Sequence, residues 1–134
     1  MKRTPFLIVA ALGAGTLLAR DFSIADAGAK ADGTKCTETI ARAIADCAAA
    51  GGGRVVVPKG TWFTGKVHLR SNVELHLEEG AVLDFSDDPD DYMPAVVSGF
   101  EGIECMNRSP LVYAYECENV AITGPGTIRP RIGF

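Results

Sequence analysis

Positive charge is scarce in this 134-residue chain: 13 Lys and Arg stand against 17 Asp and Glu, for a net charge of -4. A nucleic-acid binder needs a basic face, so that class is excluded at the outset. The scarcity is uneven. Residues 1–20 carry Lys2, Arg3 and Arg20 and no acid, whereas residues 71–118 carry twelve acids and one base, Arg108. Long apolar runs are also missing. The one extended run, Pro5 to Ala19, is fifteen residues long, short of the roughly 20 that span a bilayer. Histidine occurs twice and Trp once, too few for a His-rich metal set. What is present is ordinary for a globular protein, with 47% hydrophobic and 22% charged residues. That is enough apolar surface to offset the ordering entropy of one domain or part of one.

The N-terminus has the form of a secretory signal. A positive start, Met1-Lys2-Arg3-Thr4, leads into the uncharged Pro5–Ala19 stretch. Residues 1–19 are therefore expected to be removed, which leaves residues 20–134 as one extracytoplasmic domain, secreted or periplasmic, with no stable membrane anchor. The competing readings are an uncleaved anchor and a buried N-terminal helix. Leu17 at the -3 position is an imperfect cleavage signal.

Beyond Arg20 the hydrophobic period defines the elements. Phe22 to Ala25 alternates as a short strand, and residues 28–35 read as a loop. Ile40, Ala43, Ile44, Cys47 and Ala48 recur on one helical face. They predict a helix over 37–50, capped by Thr37 or Thr34 and stopped by Gly51-Gly52-Gly53. From Arg54 the period falls to about two. Short runs at 54–57, 61–63, 67–69, 73–77, 81–85, 111–115 and 120–123 are each closed by Gly, Pro, Asn or Glu-Gly. Residues 86–110 read as irregular. Asn72-Val73 and Asn119-Val120 lie 47 residues apart, each followed by a strand, a Gly turn and another strand. That weak repeat suits the coils of a solenoid, although a β-sandwich also yields short strands and turns. In the solenoid reading Val55, Val57, Val73, Leu75, Leu77, Val82, Val120 and Ile122 face inward. The last coil is expected to expose unpaired backbone and apolar side chains.

The chemistry-bearing residues mostly have plain readings. Gly60 to Val67 approaches a phosphate loop, but Val67 follows Lys66 where Ser or Thr would bind magnesium, and no helix follows. His68, Glu74 and His76 alternate with Val67, Leu69, Val73, Leu75 and Leu77. They belong to an outward polar face and match no metal-ligand spacing. Asp84, Asp87, Asp88, Asp90 and Asp91 lack the glycine and distal glutamate of a calcium loop and read as solvated turn residues. Cys36 and Cys47 are about 16 Å apart along a helix, beyond disulfide reach. With Cys105 and Cys117 they are read as free, buried thiols. Trp62, Tyr92, Tyr113 and Tyr115 could stack on sugars but are more simply packing residues. No residue is assigned as catalytic, as a metal ligand or as a cofactor ligand.

The combination of segments nevertheless resembles a known family. Asp26-Ala27-Gly28-Ala29-Lys30-Ala31-Asp32-Gly33-Thr34, then Ala43 to Trp62 with its Gly51-Gly52-Gly53-Arg54-Val55-Val56-Val57-Pro58 core, resembles the entry of pectin-degrading parallel β-helices. Thr64 to Val73, Glu78 to Leu83, and Asn119 to Ile128 resemble glycoside hydrolase family 28, the polygalacturonases and their relatives. The resemblance covers roughly residues 21–128. It implies an all-β, right-handed parallel β-helix with an N-terminal capping helix, and inverting hydrolysis of α-1,4-galacturonide bonds in pectin. It implies a pectic polysaccharide as partner and no cofactor. The family's Asn-Thr-Asp, Asp-Asp, Gly-His-Gly and Arg-Ile-Lys motifs do not occur here. Arg129-Pro130-Arg131 stands where the family has a glycine-rich turn. The chain is accordingly expected to be an N-terminal fragment that does not itself cleave polygalacturonate. The alternative is a non-catalytic β-helix module that binds polysaccharide or serves as structure.

Overall fold

A 20-residue step organises the strands. The computed structural model describes residues 20–131. Its elements are β1 (Asp21–Ser23), α1 (Thr37–Ala49), β2 (Gly53–Val57), β3 (Gly60–Thr64), β4 (Val67–His68), β5 (Val73–Leu77) and β6 (Ala81–Phe85). A 3-10 turn at Pro89–Tyr92 precedes β7 (Val96–Phe100), β8 (Ile103–Asn107), β9 (Val112–Tyr113), β10 (Ala121–Thr123) and β11 (Thr127–Pro130). Val55 on β2 lies beside Leu75 on β5, one coil of twenty residues later. Three parallel stacks result: β1-β2-β5-β10, β3-β6-β11 and β4-β9. This is a parallel β-helix, and it excludes the sandwich alternative.

The interior follows from period-two alternation within each coil. Val55, Val57, Val73, Leu75 and Leu77 fill one wall, while Trp62, Thr64, Ala81, Leu83 and Phe85 fill the second. Val67 and Leu69 close the third. Leu75, Leu83 and Phe85 are fully buried, each contributing about 1.5–3 kcal/mol relative to exposure. Trp62 is an inward residue whose indole Nε1 donates to the Pro58 carbonyl at 2.7 Å, which satisfies its one donor.

Helix α1 covers one end of this prism with Ile40, Ala43, Ile44 and Cys47. Its start differs from the expected cap. Cys36 occupies the N-cap with no side-chain hydrogen bond. The Thr37 hydroxyl instead accepts from the Gly65 backbone at 2.7 Å and ties the helix to the β3–β4 turn. The stop is as expected: Gly51 and Gly52 have positive φ, and their N–H groups donate to Ala48 and Cys47.

The asparagine repeat is a stacked turn. Gly52, Asn72 and Asn119 precede β2, β5 and β10 at one corner of successive coils, with φ of 108°, 68° and 58°. Asn119 Nδ2 donates to Asn72 Oδ1 at 3.2 Å. At Gly52 a Cβ would come within 2.5 Å of the Asn72 carbonyl oxygen. Glycine is required there both by φ and by the approach of the next coil.

Two expectations, on Val82 and on residues 86–110, are corrected, and two of the expected inward residues are incompletely covered. Val82 does not face inward: Ala81, Leu83 and Phe85 are the inward residues of β6, so Val82 falls on the outer phase and is only half-buried. Val120 is partly buried against the core. Ile122 lies in register with Leu75 yet is 47% exposed, because no coil covers β10 among the described residues. Residues 86–110 are not irregular. They form an arm built from the β7–β8 antiparallel hairpin. Glu101 and Gly102 both have positive φ, the requirement of a two-residue primed turn. The arm explains why the step from Leu75 to Ile122 is 47 residues while that from Val55 to Leu75 is twenty. The predicted signal segment, residues 1–19, lies outside the described residues.

Candidate functional site

Outward side chains stack from coil to coil just as inward ones do, so each wall carries short ladders of unlike residues. On β1-β2-β5 the ladder runs Asp21, Arg54, Glu74. Arg54 forks onto Asp21 with two 3.0 Å bonds, an exposed pair worth about 0–1 kcal/mol. Beside it His76 Nδ1 lies 2.8 Å from Thr123 Oγ1, which itself donates to Glu74. His68, Glu74 and His76 all sit on outward phases as expected, but they are not brought together. Glu74 and His76 share Thr123, whereas His68 belongs to another wall. Among the described residues no group of three or more His, Cys, Asp or Glu is placed to hold a metal.

The second ladder overturns the solvated reading of Asp84. Phe63, Asp84 and Arg129 are aligned across β3, β6 and β11. Asp84 is only 4% exposed. It accepts from Arg129 Nε at 3.3 Å and from Arg131 Nε and Nη2 at 3.1 and 2.8 Å. Arg131 also lies 4.0 Å above the Phe63 ring. The Arg129-Pro130-Arg131 segment thus supplies the counter-charges that allow an aspartate to be covered. The Arg131 bonds hold the Asp84 carboxyl below its usual range. The rest of the acidic loop is turn chemistry: Asp88 accepts from the Asp90 N–H, and Asp91 takes Lys35 at 2.8–2.9 Å.

The third wall carries an aromatic row. His68 on β4 lies beside Tyr113 on β9, ring centroids 5.1 Å apart. Tyr115 stacks beside Tyr113 at 6.1 Å with planes 2° apart. The row is fastened at two points. His68 Nε2 is 2.8 Å from the buried Ser109 Oγ, and the Tyr113 hydroxyl donates to the Val97 carbonyl of the arm. Because Ser109 Oγ donates to the Pro110 carbonyl at 2.8 Å, the imidazole is the donor in the first contact. The pair is therefore a tether and not a serine activated by a base. Between arm and wall runs an open groove of about 600 Å³, lined by Val97, Ile103, Glu104, Pro110, Tyr113 and Tyr115.

Of the four aromatics singled out in the sequence, Tyr113 and Tyr115 reach this groove. Trp62 is in the core, and Tyr92 is buried with its hydroxyl donating to Ser86 at 2.6 Å. Burial pushes Tyr92 up to about 12. The arm's contribution, Val97 and Ile103, was missed in the sequence; its one signal was the Glu101-Gly102 turn between two apolar runs. All four cysteines are free, with Cys36 and Cys47 buried and Cys105 and Cys117 half-buried. Burial raises Cys36 and Cys47 above the ordinary thiol range, so they are inert packing groups.

Four carboxylates have a shifted proton affinity, each of them lowered. Glycoside hydrolysis needs one carboxyl whose proton affinity is raised and another across the scissile bond. Asp21, Asp32, Asp84 and Asp91 are all shifted down, by bonds from Arg54, Thr34, Arg131 and Lys35 respectively.

The described residues thus form a helix-capped parallel β-helix with ladders of outward residues and an aromatic groove. An exopolygalacturonase from Thermotoga maritima matches with a TM-score of 0.78 and 50% identity, over 82% of this chain and 24% of that one. A family 28 exopolygalacturonase from Yersinia enterocolitica matches with a TM-score of 0.70 and 34% identity, over 83% of this chain and 21% of that one. Among curated proteins, an exo-poly-α-D-galacturonosidase from Dickeya chrysanthemi is 40% identical over 122 residues, 84% of this chain and 20% of its own length. No family model matches the chain. The chain spans about a fifth to a quarter of the length of these relatives. In sequence and fold it is similar to one part of these family 28 exopolygalacturonases.

Proposed function

We propose that these coils belong to an exported hydrolase that removes galacturonate units from the ends of pectic chains, and that they supply its capped scaffold and a sugar contact, not its acid and base. The observation that carries the activity is 50% identity over 82% of the chain to an exopolygalacturonase. The exo mode rests on the printed names of the relatives. Export rests on the positive start and fifteen-residue apolar run before Arg20; exported material beginning near residue 20 by mass spectrometry is the expected result.

The assignment of scaffold rather than chemistry rests on the carboxylates. Those with a shifted proton affinity are held ionised by cations or hydroxyls, the reverse of what a general acid requires. Purified residues 20–134 incubated with polygalacturonate are expected to release no reducing ends above buffer. Release that disappears on changing Asp87, Asp88, Asp90 and Asp91 to Asn would place the chemistry in the arm instead. The aromatic groove favours a second reading for the chain alone, a polysaccharide-binding module.

A further inference from the structure

We propose that the groove between the β7–β8 arm and β9 is a saccharide-binding subsite that takes an uncharged pyranose, and prefers methyl-esterified galacturonan to the free polyuronate. The identity of the polymer rests on the family 28 reading; the aromatic and charge arguments do not.

The platform is Tyr115. It is 44% exposed, and its ring is parallel to Tyr113 to within 2°. Tyr113 is held at its ring by His68 and at its hydroxyl by Val97. His68 is held in turn by Ser109. A ring fixed before binding loses little freedom when a ligand stacks on it. The apolar face of a pyranose matches such a ring, and Val97, Ile103 and Pro110 offer apolar walls on either side. The volume of about 600 Å³ lies within the range of small-ligand clefts.

Charge decides between the two forms of the polymer. Glu104 lines the groove, and among the described residues no Lys, Arg or His does. Glu116 and Glu104 both act on Tyr115 and hold its hydroxyl above the ordinary phenol range. A galacturonate carboxylate entering here would meet like charge with no cation to offset it. Methyl esterification removes that charge and adds an apolar group, while the ring hydroxyls remain as donors to Glu104.

Affinity electrophoresis of the full chain at low ionic strength tests this. The probes are highly methyl-esterified homogalacturonan, the same polymer fully de-esterified, and a neutral β-1,4-glucan. The esterified polymer is expected to retard the protein with at least about tenfold tighter apparent binding than the de-esterified one. Tyr115→Ala is expected to weaken retardation about three- to tenfold, with Tyr115→Trp restoring it. Glu104→Gln should narrow the gap between the two pectic polymers. No retardation by the esterified polymer, equal or tighter binding of polygalacturonate or of the glucan, or indifference to Tyr115→Ala would overturn the proposal. So would a concentration-dependent dimer abolished by Tyr115→Ala, which would put a second copy in the groove. Galacturonide hydrolysis by the longer protein is measured separately by reducing ends, so the groove can fail while the hydrolase reading stands.

Discussion

The first and last described coils are built to the same register and are covered differently. At the α1 end, β2, β3, β5 and β6 hold nine side chains at no more than 2% exposure: Val55, Val57, Thr64, Val73, Leu75, Leu77, Ala81, Leu83 and Phe85. At the β10–β11 end the register is the same, yet Ile122 and Ile128, opposite Leu75 and Leu83, are 47% and 36% exposed. A coil's inward residue becomes core only when something covers it on both sides. Helix α1 does this at one end. At the other, the Asn72–Asn119 bond and the Asp84–Arg129–Arg131 cluster tie the last described coil to its neighbour.

The sharpest way to break this contrast is to truncate equivalent inward residues. Phe85→Ala is expected to cost about 3–5 kcal/mol, because the side chain leaves a cavity in a fully packed wall. Ile122→Ala should cost under about 1 kcal/mol, because half of that side chain is already in water. Urea denaturation of both variants checks the ratio, and equal losses would mean that β10 is as well covered as β5.

The corner stack gives the next largest effect. Gly52→Ala places a Cβ 2.5 Å from the Asn72 carbonyl at a φ of 108°, and is expected to cost about 2–4 kcal/mol. Asn119→Ala, one corner away at a φ of 58° with nothing stacked beyond it among the described residues, should cost about 1–2 kcal/mol. Thermal denaturation of the two variants should rank them in that order.

The smallest effect is local and depends on pH. The Asp84 carboxyl is shifted down in the folded state. Its contribution is therefore fully present above the unfolded value of about 4 and is lost as pH falls through the lower folded value. Amide exchange at Thr127–Arg131 is expected to accelerate under acid before exchange at Val73–Leu77 does. Asp84→Asn should accelerate exchange in β11 at neutral pH and abolish that acid dependence, with β5 little changed. Simultaneous loss of both strands would show that the ion pairs hold the whole coil stack and not its last turn.

The elements that were legible in the sequence are those whose signals are local. Helical spacing in Ile40, Ile44 and Cys47 and the three glycines bounded α1 to within a residue. Alternation around Leu75 placed β5 and the outward phase of Glu74 and His76. The Asn-Val repeat marked the corner. The arm escaped because its primed turn uses Glu101 where Asn or Asp is the usual signal. Val82 was misplaced because a run of three apolar residues, Ala81-Val82-Leu83, does not declare its own phase. Asp84 escaped because its burial depends on Arg129 and Arg131, 45 and 47 residues away in sequence.

The sequence by itself determined the coil: apolar alternation, glycine and asparagine at corners, and an apolar helix to cover one end are all properties of neighbours along the chain. Tertiary structure alone decided which side chains meet across coils. Stacking brings Phe63, Asp84 and Arg129 into one ladder and His68, Tyr113 and Tyr115 into one row. Such meetings are set by register between strands 20 to 47 residues apart, and a one-residue slip would send every one of those side chains to the opposite face.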